Sequence, residues 1–342
     1  MFTVAATRAL WRTAARPELC AARHRSGSAL AEHLAPVPEL RDERLRRAVF
    51  YVPCSEERKI QKSLQSKADC VMYDLEDGVS LNRKGQARGL VLGALAANGT
   101  GAELGVRINA VGSGLELDDL GVVLQAPQLD VVMVPKVESA RDIHFVAQMI
   151  AAAGRPRDVR IIAGIETARG LVSIGEIAAA DPRVDALLFA AEDYCADTGI
   201  VRTRSRRELY HARSVVATMA HAHRLQAIDM VTMDFRDADV LRDESREGAE
   251  MGFTGKQVIH PAQVDPVQAL FSPPDDALVR AARIAAGYQH HYRLGKGAFD
   301  LDGKAIDMPV VKWAYRVLRR AELAGTDVAA LLAAHPVEPP PQ

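Results

Sequence analysis

Residues 185–199 read DALLFAAEDYCADTG. An apolar run, Ala186 to Ala191, ends on two adjacent carboxylates, Glu192 and Asp193. An apolar run of this length reads as a buried strand. Neighbouring carboxylates repel, and burial strengthens the repulsion. The pair therefore either sits in solvent at a turn or meets something positive. The stretch is one of a series. AVFYVP (48–53), CVMYDLED (70–77), LGVRIN (104–109), DVVMVPKVE (130–138), VRIIAGIE (159–166), ALLFAAED (186–193), LQAIDMV (225–231) and GFTGKQVIHP (252–261) share the form. The segments between them have helical character. In SEERKIQKSLQSK, Ser55 is an N-cap candidate and Ile60 and Leu64 lie four apart. ESARDIHFVAQMIAAAG closes on Gly154, a helix stop. Strands alternating with helices imply parallel pairing, and continuous apolar runs imply strands covered on both faces. Residues 46–295 match the ~250 residues of a barrel of eight strands and eight helices. The alternative, an open doubly wound sheet, lacks support because no G-x-G-x-x-G or P-loop follows any run. The expected fold is α/β, a (β/α)8 TIM barrel with a C-terminal hairpin–helix extension.

The expected division is residues 1–40 as leader and linker, 41–295 as catalytic barrel, 296–330 as hairpin and helix lid, and 331–342 as disordered tail. The leader carries Arg8, Arg12, Arg16, Arg23 and Arg25 against a single acid, Glu18, before residue 28. Arg8, Arg12 and Arg16 share a helical face, and Phe2, Val4, Leu10 and Trp11 supply an apolar one. Such a segment reads as a mitochondrial transit peptide, which puts the mature protein in the matrix. In the extension, AFDL and KAIDM flank Asp302-Gly303, a hairpin signal. Asp307 and Pro309 then open a helix over about 309–324. This element is expected to pack on its own barrel or a neighbour's, having no core of its own.

Composition excludes other classes. Net charge is −1 and aromatics make up 5% of the 342 residues, so neither a field nor a stacking surface points to nucleic acid. No apolar run approaches the ~20 residues of a membrane span. The four cysteines form no C-x-x-C pair and read as thiols.

In such barrels the chemistry collects at the C-terminal strand ends. Those ends carry Asp74, Glu76, Asp77, Glu138, Glu166, Glu192, Asp193, Asp229 and Asp234, with Arg107, Lys136, Lys256 and His260 among them. A crowd of carboxylates does not stay ionised without compensation. Mg²⁺, held by one or two carboxylates with water and substrate completing its shell, supplies it. Glu166 and either Glu192 or Asp193 end neighbouring strands. If extended geometry persists, only one of the adjacent pair faces the ion. Arg107, inside an apolar strand, requires an anionic partner, from the protein or from a substrate. Arg58, Lys59 and Lys62 follow the first strand on a helix, Arg58 and Lys62 sharing a face, and read either as a phosphate-contacting patch at the pocket rim or as an ordinary solvated face. Lys136 is a Schiff-base candidate. His260, before Pro261, reads more as an orienting residue than as an acid or base.

Taken in order, RRAVFYVPCSEERKIQK, YDLEDGV, VRINAVGSGL, MVPKVES, IETARGL, AEDY, LQAIDMV, SREGAEMGFTGKQVIHPAQ and LGKGAFDLDGKAIDMP resemble the citrate lyase β-subunit/malyl-CoA lyase family of Mg²⁺-dependent aldolases, over nearly all of residues 45–320. The resemblance implies a homotrimeric barrel enzyme acting on an acyl-CoA. Glu166 and Asp193 would hold Mg²⁺, and Arg107 would contact the keto-acid. Tyr51, Arg58 and Lys62 would bind CoA, with Ile259 and His260 lining its site. Asp307 would reach a neighbouring subunit's pocket as catalytic acid/base. The implied reaction is cleavage of citramalyl-CoA to pyruvate and acetyl-CoA, with malyl-CoA as the rival substrate and a non-catalytic acyl-CoA-binding subunit as the rival class. Two departures stand out: Cys54 replaces an expected glycine, and Ala190-Ala191 replace an expected glycine pair before the acids.

Overall fold

The computed structural model describes residues 44–155 and 159–335. The leader and the last seven residues lie outside this range. Eight strands close into a barrel: β1 Ala48–Pro53, β2 Cys70–Asp74, β3 Glu103–Arg107, β4 Val131–Val134, β5 Arg160–Ile165, β6 Val184–Phe189, β7 Gln226–Asp229 and β8 Gly255–Val258. Each pairs in parallel with its sequence neighbours, and β1 pairs with β8 to seal the ring. The expected fold is met, and its cause is visible in the side chains. Alternate residues split between two apolar layers. Val49, Tyr51, Cys70, Met72, Val131, Met133, Ile162, Ala186, Leu188 and Ile228 fill the barrel interior. Phe50, Val52, Val71, Tyr73, Val106, Val132, Val134, Ile161 and Leu187 face the helices. Burial on both faces is why these strands read as unbroken apolar runs.

Closure places a steric demand on β8. A Cβ on Gly255 would lie 1.8 Å from the Arg46 carbonyl oxygen, so only glycine lets β8 dock against the residues before β1. The N-terminal end of the barrel is shut by Arg46, which is fully buried. Its guanidinium binds Glu103 at 2.5 and 2.7 Å, Asp185 at 2.7 Å and Gln226 at 2.9 Å, tying together the entries of β3, β6 and β7. Bidentate pairing makes such a buried charge tolerable.

The barrel unit runs Arg46–Phe271, and a second compact unit begins at Ser272. The domain boundary thus falls before the helix Asp275–Arg293, not after it. The reason is a core that sequence reading denied to this segment. Ala281, Ile284, Ala285 and Tyr288 pack with Val311, Ala314, Tyr315 and Leu318 of the helix Met308–Leu323. The hairpin β9 Phe299–Leu301 and β10 Lys304–Ile306 turns on Asp302 and Gly303, both at positive φ, as the two-residue turn requires. A further helix, Val328–Ala334, occupies the start of what was expected to be a disordered tail.

Arg46→Met takes the buried guanidinium away from Glu103, Asp185 and Gln226. It should cost about 3–5 kcal/mol of stability, read as a lowered urea midpoint.

Candidate active site

The last residues of β2 and β3 are cross-strand partners, Asp74 and Arg107. Arg107 binds Asp74 in bidentate fashion, Nε–Oδ1 2.7 Å and Nη2–Oδ2 2.8 Å, and its Nη1 lies 2.8 Å from Glu76 Oε2. Its guanidinium also stacks over the Tyr51 ring at 5.1 Å. The anionic partner expected for Arg107 is therefore in the protein. Two of its five N–H donors are hydrogen-bonded to Asp74 and the contact to Glu76 is an ion pair without a hydrogen bond, so donors remain for a ligand. Lys84, absent from the sequence reading, steadies the turn after β2. Its buried ammonium donates to the Leu75 and Glu76 carbonyls and to Asn109 Oδ1, each at 2.7 Å.

Beyond β4, Lys136 adopts φ 49°, a strained conformation for a residue with a side chain. Its Nζ binds Glu76, Asp77 at 2.9 Å and Asp193 at 3.2 Å. These carboxylates hold the amine protonated, the opposite of what a Schiff-base nucleophile needs. Lys136 is thus a counter-ion and not the candidate nucleophile.

Glu166, just past β5, is fully buried, and neither carboxylate oxygen has a hydrogen-bond partner. Burial pushes its pKa up to about 8. The charges of Glu76 and Asp193 add to the shift, and Arg107 and Lys136 oppose it. Gly164 makes room for this carboxylate, since a Cβ there would lie 2.5 Å from Glu166 Oε1.

The paired acids of the opening stretch resolve differently from the strand-based expectation. β6 stops at Phe189, and Glu192 and Asp193 fall in the first turn of the helix Ala191–Thr198. Acids are favourable there because the unpaired N–H groups and the dipole are positive. Helical, not strand, geometry separates the two. Glu192 pairs with Arg202, which also binds Glu244 at 2.8 Å and the Val231 carbonyl at 3.1 Å. Asp193 turns to Lys136. The remaining tip acids sort in the same way. Asp229 is fully buried against Arg213 at 2.7 Å, on a structural ion pair. Glu138 is exposed. Among the buried tip acids of the described residues, Glu166 alone has neither oxygen partnered, while Asp193 shares Lys136 with Glu76 and Asp77.

These two fit Mg²⁺: hard oxygen donors, one carrying unused lone pairs in a buried setting. Among the described residues no cluster of three or more His, Cys, Asp or Glu forms a fuller cage. A two-carboxylate site leaves coordination positions for a substrate.

A cavity of about 1030 Å³ opens over this floor. Asp74, Arg107, Ala190, Ala191, Glu192 and Asp193 line it, with Tyr51, Gln257, Ile259 and His260, while Glu166 is buried and is not among the lining residues. Tyr51 belongs to the barrel interior, with its phenolic oxygen buried and unpartnered. His260 accepts from Ala262 N at 3.2 Å and stacks on Phe235, the orienting role expected of it. At the mouth stand Lys59, Lys62 and Lys67. Arg58 is exposed and is not among the lining residues. The lining pair on the helix Glu57–Ser63 is 59 and 62, and that helix is capped at Glu56 without a side-chain bond from Ser55. Cys54 packs in the outer core and also lies off the lining, so its departure from the family pattern does not crowd the cavity. Asp307 caps the helix Met308–Leu323 in the second unit. Its carboxylate is exposed and makes no capping hydrogen bond.

A family model described as HpcH/HpaI aldolase/citrate lyase matches residues 47–261, and the chain belongs to this family of lyases. Mitochondrial citramalyl-CoA lyase of Homo sapiens is 40% identical over 290 residues, covering 81% of this chain and 85% of that protein. The citrate lyase β subunit of Leuconostoc mesenteroides is 34% identical, covering 82% and 95%. The crystal structure of CitE from Mycobacterium tuberculosis in complex with magnesium, acetoacetate and coenzyme A superposes with a TM-score of 0.66 at 32% identity, covering 81% of this chain and 98% of that one. Among the described residues no helix is long and apolar enough to cross a membrane.

Glu166 sets a pH dependence on metal-free stability. Its folded pKa of about 8 exceeds that of an unfolded carboxylate, so the folded state binds the extra proton between roughly pH 4.5 and 8. Stability falls as pH rises through that window. Glu166→Gln should raise the melting temperature at pH 8 by several degrees and change it little at pH 5, as thermal unfolding in EDTA would show.

Proposed function

We propose that the chain is a Mg²⁺-dependent lyase acting on a CoA thioester, with citramalyl-CoA cleaved to pyruvate and acetyl-CoA. The observation that carries this reading is an unpartnered, buried Glu166 whose charge couples to that of Asp193, a carboxylate lining a cavity that lysines also line. It is supported by the human citramalyl-CoA lyase relative and by the magnesium and coenzyme A named for the CitE structure. Glu166 and Asp193 hold the ion, which when bound supplies Lewis-acid stabilisation to the oxygens of the keto-acid fragment. The uncommitted N–H groups of Arg107 orient the substrate carboxylate, and Asp74 and Glu76 keep the guanidinium fixed while they do so. Lys62 and Lys59 meet the phosphates of the CoA arm, while Tyr51, Ile259 and His260 line its path. Arg58 contributes charge from outside the lining.

In the cleavage direction the substrate hydroxyl gives up its proton to solvent and its oxygen becomes the ketone of pyruvate, while the C–C bonding pair passes to the thioester fragment as its enolate. Asp307, protonated, delivers its proton to the enolate carbon to give acetyl-CoA, and in the reverse direction takes it back. The exposed, uncapping carboxylate of Asp307 suits a group supplied to a neighbouring copy in a homotrimer. Residence in the mitochondrial matrix is the reading that the Arg-rich leader and the mitochondrial relatives support.

Acetyl-CoA release, assayed in parallel from citramalyl-CoA and malyl-CoA, tests the reading. EDTA should abolish it and Mg²⁺ restore it. Glu166→Gln and Asp193→Asn should each lower kcat by at least about 100-fold. Glu192→Gln, which only loosens the Arg202 clamp, should lose less than tenfold. Faster turnover of malyl-CoA would reassign the substrate, and release unaffected by EDTA would overturn the metal.

Asp307→Asn alone should be inactive. Co-assembly with inactive Glu166→Gln copies should recover activity, because mixed assemblies contain sites with one intact Glu166 and one intact neighbouring Asp307. No recovery would place Asp307 in its own subunit's site or outside the chemistry.

A further inference from the structure

Lys136 stands among four carboxylates. Its Nζ contacts Glu76, Asp77 and Asp193 directly, and it is the nearest lysine charge acting on Glu166. Two of these four are the carboxylates assigned to the metal. The backbone pays for this placement: Lys136 is one of four non-glycine residues at positive φ among the described residues, and it sits two residues past the end of β4. The neighbouring amide is held in register, Val137 N to Gly164 O at 3.0 Å, so the strained residue is fixed between β4 and the strand that carries Glu166. The side chain is only 30% exposed, which keeps its charge from being screened as a surface lysine's would be.

We propose that Lys136 is a resident counter-cation of the metal site, a positioning residue that holds Asp193 while no metal is bound and gives it up when Mg²⁺ arrives. The contact lengths are ordered accordingly. The Asp193 contact, 3.2 Å, is the longest of the three, and Asp77 at 2.9 Å and Glu76 are closer. The ammonium can therefore release Asp193 and stay neutralised by Glu76 and Asp77. Lysine suits this exchange because it is a compact charge on a flexible stem, whereas the forked guanidinium of Arg107 is locked onto Asp74. Metal and ammonium then compete for one carboxylate, and the metal-free enzyme keeps Asp193 aimed at the site without leaving it unpaired. The inference rests on the assignment of Glu166 and Asp193 as metal ligands.

The test is metal binding, not turnover. Mn²⁺ binding to purified wild type, Lys136→Met, Lys136→Arg and Glu166→Gln would be measured by electron paramagnetic resonance, with thermal melts in EDTA and in saturating Mn²⁺. Lys136→Met, which removes the competing charge at similar volume, should bind Mn²⁺ at least about tenfold more tightly than wild type. It should melt lower than wild type in EDTA and recover in saturating Mn²⁺. Lys136→Arg, which keeps the charge, should bind within about threefold of wild type. Equal or weaker binding by Lys136→Met overturns the exchange and makes Lys136 a fixed scaffold. Wild-type binding that survives Glu166→Gln overturns the ligand assignment itself, a different outcome from the first.

Discussion

An unpaired carboxylate in a buried setting is the constraint around which the catalytic end of this barrel is built. Glu166 has no hydrogen-bond partner on either oxygen, and two further negative charges act on it. Desolvation makes such a group costly unless a cation completes it. Every neighbouring acid has been given a partner: Asp74 and Glu76 have Arg107, Asp77 and Asp193 have Lys136, and Glu192 has Arg202. The absence of a Cβ at Gly164 and the strained backbone of Lys136 both serve this arrangement. What is left over is one site of concentrated negative charge, matched to a hard cation and opening on a cavity.

Much of the fold was legible because it rests on periodicity. Eight apolar runs with polar tips can be buried on both faces only in a parallel sheet, and β1 through β8 coincide with those runs. The limits of the reading have physical causes. Segment ends were misjudged where a strand passes directly into a helix, as at Phe189 to Ala191, because Ala190-Ala191 suits either state. The helix Asp275–Arg293 looked like the last barrel helix by position. Its partner residues lie thirty positions later in the chain, a distance over which periodicity carries no information.

The site was legible as a set of residue types but not as a set of pairs. Glu166, Asp193 and Arg107 stood out as charges inside apolar runs. Their partners did not, because Arg202 and Lys84 lie in unremarkable polar stretches and become informative only when the fold brings them to Glu192 and to the turn after β2. The shared face of Arg58 and Lys62 was read correctly from the helical period, yet the cavity faces the neighbouring stripe of Lys59 and Lys62. The orientation of a helix against its sheet is a tertiary property. Asp229 illustrates the reverse error: it sits at a strand tip, yet is wholly consumed by Arg213.

The Arg46 plug has a kinetic meaning. With the N-terminal end tied by Arg46 and the interior filled by side chains, the cavity is reached from the C-terminal end of the barrel. Whatever occupies the floor must enter before whatever spans the mouth, and must leave after it. On the proposed chemistry, the small keto-acid lies beneath the long thioester arm. If the proposed reaction holds, traffic would be sequential by architecture: the CoA product would depart first and the keto-acid last, through the same opening.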